Sequence, residues 1–179
     1  MAELDPEYLR TVWNRVEREI ESRWGVPVRI SDVPNPFTGD LDGAEIQVDH
    51  DVDLEDALFI LIHLFGHTVQ WNVSAEARAI AVARPTEWTP EALAQVEEYE
   101  RDACRLSLQL LHEVGVRDLD QWVSDFAACD LEYLLHFYKT GERGDFRSFW
   151  RDGTPVLTPL PIPEFAPTAW LTRWSGTVI

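Results

Sequence analysis

Basic residues are few: 15 lysines and arginines stand against 32 aspartates and glutamates, a formal net charge of −17 over 179 residues. A surface of that sign repels phosphate backbones and anionic lipid, which argues against nucleic acid and membrane surfaces as partners and leaves a small molecule or a peptide. Cysteine is scarce as well. Cys104 and Cys129 lie in stretches of helical pattern without the short paired spacing of a zinc ribbon or a redox motif, so both read as free core thiols. No apolar run approaches the roughly 18 residues of a membrane span, and the acidic start "MAELDPEYLR" lacks the apolar centre of a signal peptide. A cytoplasmic protein is the expectation. The chain also lacks internal repeats and low-complexity tracts, and its 45% hydrophobic content suffices for one sizeable core.

What is present is mostly helical pattern with a little strand, an α+β chain. Asp5 and Pro6 read as N-cap and first helical position, and Leu9, Val12, Trp13, Val16, Ile20 and Trp24 then recur at helical spacing up to Gly25. Short strand patterns follow at Val26–Ile30 and Ala44–Asp49, separated by the turn-rich "SDVPNPFTGDLDG". The stretch from about Leu54 to Trp71 is apolar on nearly every face, which marks it as a central, covered helix. "NVSAEARAIAVARP" is ambiguous up to Pro85. Thr89 and Pro90 open a long helix to about Glu113, and a further helix runs from about Asp120 to Lys139, stopping at Gly141. Prolines at 155, 159, 161, 163 and 167 make 154–179 an extended tail, carrying Trp170 and Trp174, against a domain of residues 1–153.

The central helix contains "HLFGH", with His63 and His67 four residues apart. That spacing puts both imidazoles on one helix face, close enough to share a metal ion, although two core histidines with ordinary partners would look the same. A third donor would have to come from elsewhere. On the long helix the apolar face is carried by Val96, Ala103, Leu106 and Leu110; at 100° per residue Glu100 falls beside that face and Glu98 well away from it. Glu98 with Asp102 remains an alternative pairing.

"HLFGH" resembles the zincin motif HExxH with its second position changed, and Gly66 matches the "HELGH" form of the ImmA/IrrE metallopeptidase family. "YERDACRLSLQLL", Tyr99 to Leu111, is similar to that family's second block, roughly E-x-E-A-N-x-F-A-x-x-L-L. The resemblance covers about residues 25 to 113. It implies a zincin-like domain in which a small sheet packs on the metal-binding helix, with His63, His67 and Glu100 as ligands. It sets Asp102 on the second acidic position, Cys104 on the asparagine position and Leu106 on the phenylalanine position.

Leu64 stands where the family has its general base, a glutamate that moves the proton of the attacking water. Three readings follow. A centre of two histidines and one carboxylate, holding Zn or Fe(II), serves non-haem iron chemistry without an adjacent base. A metal-dependent hydrolase would draw its base from Asp102, Glu97 or the helix after Asp120. A catalytically inactive homologue would act as a protein- or ligand-binding module. The first is preferred, and conventional proteolysis is not expected. Asp102, Cys104, Asp125 and His136 are the candidates for groups that orient the ligands, with Asp130 weighed beside Asp125 as a partner for a histidine's outer nitrogen.

Overall fold

The computed structural model describes residues 4–34, 37–83 and 85–170. Helix α1, Pro6–Glu19, begins as the sequence reads: Asp5 accepts from the Glu7 amide and Pro6 occupies the first turn. Its expected last turn is instead a π turn, Ile20–Trp24, which ends at Gly25 in the left-handed conformation (φ 67°). The wider turn keeps both Ile20 and Trp24 in the core.

Three strands follow: β1 (Val28–Ser31), β2 (Gly39–Leu41) and β3 (Ile46–Asp49). They form a mixed sheet in the order β1-β3-β2, with β1 parallel and β2 antiparallel to β3. Strand β2 lies inside the stretch read as turn. Three residues are too few to show a period, and all three are buried, which leaves no alternation to detect.

Helix α2, Leu54–Val73, is capped by Asp53 and crosses the middle of the molecule with buried residues on most of its circumference. The ambiguous stretch resolves into a short helix α3, Ala75–Ala81, whose N-cap Ser74 accepts from the Ala77 amide. Helices α4 (Pro90–Glu113) and α5 (Asp120–Thr140) complete the body, and a 3₁₀ turn at Phe146–Phe149 returns the chain toward α2. No helix of the described residues is long and apolar enough to cross a membrane.

Residues 154–170 are extended and run back over the body, held by hydrogen bonds at intervals. Leu157 donates its amide to Ser124 Oγ (3.0 Å), Leu160 to the Arg105 carbonyl (3.1 Å) and Trp170 to the Asp42 carbonyl (2.7 Å). The expected tail continues through Trp174 to residue 179, and 171–179 lie outside the described residues.

Asp125 anchors the start of this segment: its carboxylate accepts from the amides of Gly153 (3.1 Å) and Thr154 (2.8 Å), from the Thr154 hydroxyl (2.7 Å) and from Gln121 Nε2 (2.9 Å). Burial pushes its pKa up, but these donors outweigh burial and hold it below the ordinary carboxylate range. The stabilisation is therefore present above the unfolded-state pKa and is lost as pH falls through the lower folded value. Asp125→Asn should cost about 1–3 kcal/mol in denaturant unfolding at pH 7, and the gap from the parent should narrow under acid.

Candidate metal centre

The centre is assembled where α2 crosses α4. Gly66 faces Ala103 there, and a Cβ on Gly66 would lie 2.8 Å from the Ala103 carbonyl carbon and 2.9 Å from its Cα. Ser107, one turn on, donates its hydroxyl to the carbonyls of Ile62 (2.7 Å) and Ala103 (2.8 Å), which fastens the helices at the same point. The crossing brings Glu100 to the face of α2 that carries His63 and His67.

Three donor atoms converge. His63 Nε2 lies 3.0 Å from His67 Nε2 and 3.2 Å from Glu100 Oε2, and His67 Nε2 lies 3.1 Å from the same oxygen. With metal–ligand bonds of about 2.0–2.1 Å, neighbouring donors are about 2.9 Å apart around an octahedral ion and about 3.3 Å apart around a tetrahedral one. The observed triangle falls between these limits, so the three residues fit one face of a divalent ion's coordination shell.

The imidazoles are oriented from behind. Gln70 donates its Nε2 to the Tyr99 carbonyl (2.8 Å), which fixes the amide so that its oxygen meets His67 Nδ1 at 2.9 Å. Nδ1 therefore carries the hydrogen and Nε2 presents a lone pair. Cys104 Sγ stands 3.3 Å from His63 Nδ1, the matching position on the other ring. Burial pushes the Cys104 thiol up, so the sulfur faces the ring as a neutral group. Tyr99 stacks on His67 with ring centres 4.5 Å apart, and Phe59 lies against His63 at 5.5 Å.

Lone pairs that converge at such distances need a positive charge between them. Burial opposes charge on Glu100, yet His67 and His63 together draw its carboxyl down to about 2. Burial likewise opposes charge on His63, but Cys104, Glu100 and Asp130 hold its pKa well above the ordinary value. A proton and a metal ion thus compete for one position.

Asp130 of α5 approaches from the cavity side, its Oδ2 3.8 Å from His63 Nε2. It lies outside the set of donor atoms that are all within 4.8 Å of one another. Burial is the largest influence on its carboxyl and raises it to about 6, against the lowering effect of His63. The centre forms one end of a cavity of about 270 Å³ walled mainly by apolar side chains, among them Phe59, Ile60, Leu64, Phe126 and Leu134.

Of the residues expected here, His63, His67, Glu100 and Cys104 come together, and Glu98 points to solvent. Three do not arrive. Asp102 turns sideways to pair with Arg105 (2.9 Å), Asp125 holds the tail, and His136 packs against Phe149 at 5.3 Å, away from the cavity. Asp102 and Asp125 sit on the right helices but on other faces of them. Gln70 escaped the sequence reading, although its place three residues after His67 puts it on the same side of α2. A second cluster, Asp49, His50 and Asp51, is mostly exposed and has no comparable enclosure.

No family model, curated protein or solved structure matches the chain.

Two measurements probe this geometry. Gly66→Ala should force α2 and α4 apart, costing about 1–3 kcal/mol in unfolding experiments and weakening metal uptake together with it. Because the pKa of His63 is raised well above the ordinary imidazole value, below that raised pKa binding of Zn²⁺ must release its proton. Affinity measured by competition with a chromophoric chelator should therefore fall about tenfold for each unit of pH lost below that value.

Proposed function

We propose that this chain is a divalent-metal-dependent enzyme acting on a small molecule, with His63, His67 and Glu100 as ligands and Asp130 as the proton carrier. The observation that carries the proposal is the triangle of donors 3.0–3.2 Å apart, each ring nitrogen aimed by a hydrogen bond behind it, at the end of an apolar cavity. A divalent ion there supplies Lewis acidity, polarising a carbonyl oxygen and acidifying water.

The chain's own residues supply the rest. In the zincin reading Leu64 removes the usual base. It is 2% exposed and packs toward Gly39 of β2, where an added Cβ would lie 2.7 Å from its Cδ1. No proton can be carried from there. Asp130 on α5 stands close to a ligand atom but outside the donor set, where its Oδ2 can take a proton from water and return it to a leaving group. The apolar walls lower the polarity around the centre and strengthen charge interactions there. These features favour metal-dependent hydrolysis over the iron chemistry preferred from sequence, and they favour an enzyme over a binding module.

Elemental analysis of protein purified without chelator or affinity metal should find about one divalent ion per chain, and Glu100→Gln should lower that content severely. Asp130→Asn should retain the ion yet lose about 10²- to 10⁴-fold in hydrolysis of an activated ester such as 4-nitrophenyl acetate. Absence of metal from the unaltered protein, or equal hydrolysis by Asp130→Asn, would overturn the proposal. Stoichiometric iron in place of zinc would shift the chemistry back toward oxygen.

A further inference from the structure

The cavity is nearly devoid of uncompensated charge, and this limits what it accepts. Apart from the histidines of the centre, its one cationic side chain among the described lining residues, Arg147, is paired with Asp56 and lies over Phe126, with its guanidinium carbon 5.1 Å from the ring centre. Its other acidic lining residues, Glu100 and Asp130, face the centre, where two negative charges balance one divalent ion. A charged group on the part of a ligand that lies away from the ion would therefore enter an apolar space without a partner and lose its hydration.

Size gives the second limit. A cavity of about 150 Å³ accommodates benzene. The space of about 270 Å³ here has room for one ring and a linking group beside the centre. Its walls are aromatic and branched aliphatic, with Phe59, Phe126 and Tyr133 beside Ile60, Leu64 and Leu134 among the lining residues.

We infer that the substrate is a compact, uncharged and largely apolar molecule, about one ring in size, that meets the centre through a single polar group such as an ester or amide carbonyl. The inference rests on the metalloenzyme reading and narrows it to the group that meets the centre.

The probe is a graded set of hydroxamic acids, which bind divalent metal through two oxygens. Zinc-loaded protein is titrated by calorimetry with acetohydroxamic, benzohydroxamic, 4-carbamoylbenzohydroxamic and 4-carboxybenzohydroxamic acids. Benzohydroxamate should bind at least about tenfold more tightly than acetohydroxamate, since burial of a ring is worth at least that factor. The carboxylate should bind at least about tenfold more weakly than the carbamoyl compound of the same size. Leu134→Phe, which fills the cavity, should abolish the gain from the ring, read as the ratio of benzohydroxamate to acetohydroxamate affinity on that same variant.

If zinc and acetohydroxamate bind but the ring adds nothing, or the carboxylate binds as well as the amide, the substrate class is wrong and the metal centre survives. If the chain takes up no zinc, the centre itself fails and this inference with it. The comparison among probes uses the unaltered protein, so it decides the matter even if Leu134→Phe does not fold.

Discussion

The contact of Gly66 with Ala103 is the constraint on which the rest depends. Two helices carrying ordinary side chains pack with axes about 8–10 Å apart. A glycine facing an alanine removes the bulk that sets that distance, and Ser107 locks the approach by donating to backbone carbonyls of both helices. Only at this separation does a glutamate side chain on α4 reach imidazoles on α2. The small residues set the distance between Glu100 and the two imidazoles.

Around that crossing the polar groups are arranged so that each buried one is answered. Gln70 links His67 to the backbone of α4, Trp71 donates to the Tyr99 hydroxyl at 2.8 Å, and Thr68 returns its own hydroxyl to the Leu64 carbonyl at 2.8 Å. Such a network costs little when complete, and it denies the histidines alternative rotamers. The extended segment after residue 154 adds a further tie. It binds Asp125 and Ser124 on α5, Arg105 on α4 and, through Thr168, Asn72 on α2, which are the three helices that meet at the centre.

The mostly helical α+β character was legible because helix starts announce themselves chemically: Asp5 before Pro6 and Thr89 before Pro90 are caps that the structure uses as such. The meeting of His63, His67 and Glu100 was legible for a related reason. A spacing of four fixes two imidazoles on one face, and the helical phase of Glu100 separates it from Glu98 without any tertiary information. What failed was tertiary in origin. Asp125 and Asp130 differ by five residues on one helix, and nothing local says which turns toward a histidine and which toward a returning tail. Asp102 lies two residues from Glu100, on another face of α4, and the nearby Arg105 offers it a partner there. Strand β2 failed through brevity, since its pairing with β3 rather than its own pattern makes it a strand.

The two imidazoles are held from behind by unlike groups, an amide oxygen for His67 and a thiol sulfur for His63. An amide oxygen is the stronger acceptor, so it leaves its imidazole the richer in electron density and the firmer donor. His63 is the less enclosed of the pair, with 13% of its side chain exposed against 5% for His67. An ion in this centre would therefore be gripped unequally, with His67 and Glu100 as the fixed arms and His63 as the arm that yields first when a coordination site must open.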